Sequence, residues 1–144
     1  METSLIEQLN KSRYNLIKWL TIGWSLWVGT YILKGFIQFG LILSALIWIG
    51  LLGWVVFIIN LVKYLKLNRE VRADSLLKEA LNDELLQLNR YKSFFIGFIA
   101  TISVVSIFFT ISLFVMIPSL MVCRITIFCG VLAVLIAGLI LNKE

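Results

Sequence analysis

GLILSALIWIGLLGWVVFIINLV, residues 40–62, runs from Gly40 to Val62 without a charged side chain. At about 1.5 Å of rise per residue, a helix of this length outreaches the roughly 30 Å hydrocarbon core of a bilayer. One Asp, Lys or Arg at its centre would cost about 2.5–3.5 kcal/mol on insertion, so the clean interval is a physical signal. It reads as a transmembrane helix.

Three more intervals share that character. Leu16 to Leu33 holds a single charge, Lys18, close enough to the end for its ammonium to reach the headgroups. Ser93 to Ile117 and Ile125 to Leu141 hold none. No interval has the polar stripe of a helix in a soluble bundle. Composition agrees, with 60% of 144 residues hydrophobic and 15% charged. A water-soluble domain this small exposes too much surface to hide that apolar content. The expected architecture is all-α, one membrane domain over 1–144. Its four transmembrane helices would form two antiparallel hairpins joined by an amphipathic cytoplasmic helix.

Orientation follows from the basic residues. Lys11, Arg13 and Lys18 approach the first span, and Lys143 closes the chain. Lys63, Lys66, Arg69, Arg72, Lys78, Arg90 and Lys92 occupy the central connection. Only Lys34 and Arg124 fall in the other two connections. The positive-inside rule then expects both termini and residues 63–92 in the cytoplasm, in a bacterial inner membrane. The net charge of +5 thereby becomes a topological device and a contact for anionic lipid, with no nucleic-acid partner expected. Met1–Ser12 is polar, and no small-residue cleavage pattern follows the first apolar stretch, so span one is expected to remain in the mature chain.

Lys34–Phe39 and Pro118–Arg124 are short links, which make antiparallel neighbours. Within the longer link, Asp74 or Ser75 can cap a helix, and Asp74 with Lys78 forms an i,i+4 pair. Leu77, Ala80, Leu81, Leu85, Leu88 and Tyr91 recur at helical spacing as an apolar face. Lys78, Glu79, Asn82, Asp83, Asn89 and Arg90 fall opposite. Glu84 interrupts the apolar face and needs either a partner, such as an intersubunit cation, or water. ALNDELL at 80–86 resembles segments preceding a span in small four-span bacterial proteins, a resemblance that implies no activity. The approaches to spans one and three read QLN then RY (Gln8–Asn10 with Arg13–Tyr14, Gln87–Asn89 with Arg90–Tyr91), differing by a two-residue insertion, a pattern open to a parallel internal repeat or to a chance match in a biased composition.

The chain has no histidine, and the span interiors have no Asp, Glu or Arg. Ion-coupled transport through the membrane ordinarily needs such groups, which argues against a proton-coupled antiporter of the small multidrug type. No phosphate loop, metal-binding run or nucleophile elbow occurs, so no cofactor, metal or catalytic residue is expected. A lipid-acting enzyme would have to rely on Glu79, Asp83 or Glu84. Cys123 and Cys129 read as free thiols. Trp19 fits an interfacial belt, whereas Trp24, Trp27, Trp48 and Trp54 are expected to pack between helices.

What the spans do carry is small and hydroxylated. Ser103, Ser106 and Thr110 share one face of span three; Gly97 with Thr101, and Ala133 with Ala137, make small-xxx-small pairs. Such pairs serve packing within one chain or between chains. The leading expectation is a non-enzymatic protein acting through helix–helix contact, whose partners are the bilayer and either itself or another membrane protein. Contact would run through Glu84, Leu77, Leu81, Leu88, Gly97 and Thr101. The alternative is an oligomeric channel or facilitator lined by Ser103, Ser106 and Thr110. The orientation has a direct check, with Cys123 and Cys129 first replaced by Ser. A Lys34→Cys chain should react with a membrane-impermeant maleimide in intact cells, and a Lys66→Cys chain only after permeabilisation.

Overall fold

The computed structural model describes residues 2–36, 40–73 and 84–142. Within them lie four helices, α1 (Glu2–Leu33), α2 (Gly40–Ala73), α3 (Glu84–Ser112) and α4 (Ser119–Leu141). Each contains a stretch long and apolar enough to cross a membrane: Gln8–Leu33, Ile42–Glu70, Gln87–Ser112 and Ser119–Leu141. At about 1.5 Å per residue these stretches measure about 35–44 Å. Hydrocarbon offers no water to backbone N–H and C=O groups, and a helix satisfies them within its own segment. The chain is an all-helical integral membrane protein.

The helices outrun the apolar intervals. α1 already begins in the polar N-terminal stretch, and α2 continues through Lys63, Lys66 and Arg69 to Ala73. There Lys66 Nζ meets Glu70 Oε1 at 3.8 Å, an exposed i,i+4 pair. Lys, Leu, Arg and Glu are good helix formers, so nothing in residues 63–73 ends the hydrogen-bonded ladder at the bilayer boundary. Residues 84–92 likewise belong to α3. Leu77, Ala80 and Leu81 of the expected apolar face lie outside the described residues, as do Asp74, Ser75, Lys78, Glu79, Asn82 and Asp83.

The link between α3 and α4 departs from the sequence reading. α3 ends at Ser112, short of Ile117, by tightening its last turn: Leu113 N–H donates to Thr110 O at 3.3 Å and Phe114 N–H to Ile111 O at 3.0 Å. α4 starts directly after Pro118, whose carbonyl accepts from Met121 N–H (2.9 Å) and Val122 N–H (3.3 Å). Proline lacks an N–H and has a pre-set φ, here −59°, so it opens a helix at little cost. Cys123 and Arg124 therefore stand on α4 and not in a turn before it.

Laterally the helices form an open row in the order α2, α1, α4, α3. α1 packs on α2, α4 on α3, and the two inner helices on each other. Arg13 meets Asn68, Gly23 meets Gly53 and Phe57, and Thr30 meets Gly50, so α1 and α2 run in opposite directions. Asn89 meets Leu141, Ser93 lies by Gly138, and Gly97 meets Gly130 and Val134, which makes α3 and α4 antiparallel too. The inner contact includes Gly29 of α1, which faces the ring of Phe128 on α4. Among the described residues the buried apolar side chains are Leu20 and Ala137, one on each inner helix.

Both pairs cross at glycine. A Cβ on Gly23 would stand 2.7 Å from Phe57 N and 3.0 Å from Gly53 O. A Cβ on Gly97 would run into Val134 and stand 3.1 Å from Gly130 O. In each pair a glycine of the first helix touches a glycine carbonyl and the residue four further on. The QLN and RY elements do not keep that register, since Arg13 stands ten positions before Gly23 and Arg90 seven before Gly97. The two halves share their crossing, not the spacing of that motif.

Phe57 N and Gly53 O are backbone atoms and cannot swing aside. Gly23→Ala should therefore destabilise the protein by about 1–3 kcal/mol despite alanine's better helix propensity. Gly40→Ala, with no atom within 4 Å of the added carbon, should change stability by less than about 0.5 kcal/mol. Reversible unfolding in mixed detergent micelles measures both.

Candidate functional site

The polar side chains of α3 separate into two faces. Asn89, Ser93, Gly97 and Thr101 recur every four residues and line the contact with α4. Asn89 Nδ2 donates to the carbonyl of Leu141 at 2.9 Å, satisfying a helix-terminal acceptor that α4 leaves without an intrahelical donor. Ser93 Oγ donates to Asn89 O and Thr101 Oγ1 to Gly97 O, both at 2.8 Å. Asn89 and Ser93 are buried, whereas Leu88 is exposed and Tyr91 is 73% exposed. The inward side at this end of α3 is thus the polar one. Surrounding lipid accepts Leu88, while α4 supplies the partner of Asn89, and Ser93 and Thr101 bond back to carbonyls of α3.

Gly97 and Thr101, candidates for contact with a partner, are occupied by α4 of the same chain. Asn89 and Ser93 extend their seam at a four-residue spacing that is visible in the sequence. Ser103, Ser106 and Thr110 lie elsewhere and are exposed. Ser103 Oγ donates to Ile99 O at 2.9 Å and Thr110 Oγ1 to Ser106 O at 3.0 Å, so these two hydroxyls are satisfied by their own helix. Glu84 opens α3, but its side chain lies outside the described residues, as do Leu77 and Leu81.

Two grooves flank the contact between α1 and α2. Near the N-terminal end of α1, a groove of about 470 Å³ is lined by Ser12, Asn15 and Trp19 from α1 and by Asn60, Lys63 and Lys66 from α2. At the other end, a groove of about 370 Å³ is lined by Trp27, Tyr31, Lys34, Gly50 and Trp54. Lys34 Nζ sits 5.6 Å from the centre of the Tyr31 ring, within cation–π range. Between the grooves, Trp24, Trp27 and Phe57 form an aromatic cluster with centroids 5.4–5.8 Å apart. Trp24 and Trp27 thus pack as expected. Trp48 and Trp54 do not, and both are exposed because α2, at the end of the row, has one helical neighbour.

Arg13 is the unforeseen residue. Its Nη2 donates to Asn68 Oδ1 at 3.4 Å, and its buried Nε has no partner among the described residues. The RY motif marked Arg13 as part of a repeat and gave no sign that an amide would be its partner. Cys123 and Cys129 are free, the first exposed.

The helices and seams therefore define an integral membrane protein with an open lateral architecture. Compared with known proteins, the chain matches no protein-family model, no curated protein and no solved structure.

Replacing Asn89 by Leu removes the donor to Leu141 O and leaves that carbonyl with one partner fewer. The expected loss is about 1–2 kcal/mol of stability, measured by the same detergent unfolding.

Proposed function

We propose that this chain is a non-enzymatic membrane protein that works by lateral helix–helix contact, as a homo-oligomer or as the membrane subunit of a larger assembly. The observation behind the reading is the open row. α2 and α3 each pack substantially on one neighbour only, leaving long flanks to whatever surrounds them. On α3 that flank carries the exposed Ser103, Ser106 and Thr110 among phenylalanines and isoleucines. Small hydroxylated side chains let a second helix approach closely, and a hydroxyl bond across helices contributes about 0.6 kcal/mol on average. Gly97 and Thr101 stabilise the chain's own fold on this reading, and the contact role passes to the free flank of α3.

The pairs α1–α2 and α3–α4 are then each a membrane hairpin. The eleven-to-two distribution of basic residues favours termini in the cytoplasm of a bacterial inner membrane. An amphipathic segment over residues 75–90, its last part being the start of α3, would join the hairpins and offer Leu77, Leu81, Leu88 and Glu84 as a second contact at the edge of the bilayer.

The mass of the protein in nanodiscs is the test. Species at multiples of 16.5 kDa, or a stoichiometric companion from native membranes, are expected. The triple variant Ser103→Leu, Ser106→Leu, Thr110→Leu should shift the population toward the single chain, because bulk is added on exposed positions that bear no internal packing. A wild-type protein that is strictly monomeric and copurifies with nothing sinks the reading.

The same flank supports one alternative, a channel or facilitator in which α3 helices from several copies surround a path lined by the three hydroxyls. Liposome flux separates the two. Flux that the triple variant abolishes favours the channel, and flux indifferent to all three removes them as its lining.

A further inference from the structure

The groove at the N-terminal end of α1 mixes charged, amide and apolar side chains. At its outer end stand Ser12 and Asn15 of α1 opposite Lys66 and Glu70 of α2; deeper in come Lys63, Asn60 and the indole of Trp19. Trp and Tyr favour the depth of the headgroups, which sets the level of the groove at the edge of the hydrocarbon. Its volume of about 470 Å³ accommodates a polar headgroup with the first carbons of its chains.

Charge in the groove is unbalanced. Lys66 shares its charge with Glu70 at 3.8 Å, whereas no carboxylate among the described residues is paired with Lys63. Asn60 Nδ2 spends one hydrogen on Val56 O at 2.7 Å and keeps the other. Arg13, one position along α1 from Ser12, is partnered by the amide of Asn68 and adds its positive charge nearby. Two ammoniums, a serine hydroxyl and two amides line the space with one carboxylate, Glu70, so its lining carries a net charge of +1 beside the apolar Leu16, Trp19 and Leu67. That set suits a diffuse anion joined to a hydrocarbon tail.

We infer that the groove between α1 and α2 at Ser12, Asn15, Trp19, Asn60, Lys63 and Lys66 is a binding site for an anionic phospholipid. The phosphate would sit between Lys63 and Lys66 with Asn15 and Ser12 donating to its free oxygens, and the acyl chains would descend past Trp19. A zwitterionic lipid brings its own cation to the phosphate and gains less from the surplus lysine. Each lysine near a membrane surface favours anionic lipid by about fivefold, and Glu70 offsets part of the Lys66 share.

Native mass spectrometry of the full-length detergent-solubilised chain, titrated with phosphatidylglycerol or phosphatidylcholine, tests the site. Wild-type protein should retain phosphatidylglycerol with about a fivefold preference. Lys63→Gln with Lys66→Gln should reduce the preference to less than about twofold at unchanged helical content, while Lys63→Arg with Lys66→Arg keeps it. Lys92→Gln, on an exposed position of α3 outside the groove, should leave it intact. Equal retention of the two lipids, a preference surviving in the double Gln variant, or an equal loss in Lys92→Gln would overturn the assignment. Inorganic phosphate provides the last arm. Millimolar phosphate should fail to displace the lipid, and displacement would make the groove a site for the free anion and overturn the lipid.

Discussion

Close backbone approach at glycine is the constraint on which the rest of this structure depends. Lipid tails are as apolar as leucine, so two helices in a bilayer gain nothing by hiding hydrophobic surface from it. Association has to come from dispersion between closely fitted surfaces and from polar contacts that lipid cannot offer. Gly23 against Gly53 and Phe57, and Gly97 against Gly130 and Val134, bring the helix backbones of each pair together. Once they are in register, Asn89 reaches the last carbonyl of α4, Arg13 reaches Asn68, and the Trp24, Trp27 and Phe57 rings meet.

These contacts also explain why the chain is an open row. The glycine-lined faces of α1 and α4 are used on α2 and α3, and the inner helices meet on a further side that holds Gly29 and Phe128. Among the described residues α2 and α3 make no substantial contact that would close the row. In water, flanks carrying so many exposed phenylalanines, isoleucines and leucines would be a severe liability. In a bilayer they are the ordinary surface, and the energetic question moves to the polar groups. Ser103 and Thr110 answer it by bonding back to their own helix, which leaves α3 equally compatible with lipid and with a second helix.

Polar residues accordingly serve two different purposes. In the seam between α3 and α4, Asn89, Ser93 and Thr101 have fixed partners and add geometry to an otherwise slippery apolar contact. At the groove beside Trp19 they face outward, with lysine charge left over. A membrane surface supplies what such a site lacks, an anion with a tail. Lysines at that level would then hold particular lipids against the protein.

The bilayer location and the four spans were legible in the sequence, because insertion depends on the hydropathy of each segment taken alone. The clean interval at residues 40–62 settles its own placement without reference to any neighbour. Which way each helix faces was not legible. Lipid surrounds a span evenly and imposes no apolar stripe, so hydropathy cannot mark the inward side. Trp48 and Trp24 look alike in the sequence, yet the first lies on the flank of an end helix and the second in the packed cluster. Gly97 and Thr101 could be recognised as a close-approach pair, but not that α4 of the same chain would take them. The lateral order of the helices, the inward turn of Asn89 and the groove that gathers Lys63 with Asn15 were decided by tertiary structure alone. They depend on matched surfaces on two helices, a property that no single segment carries.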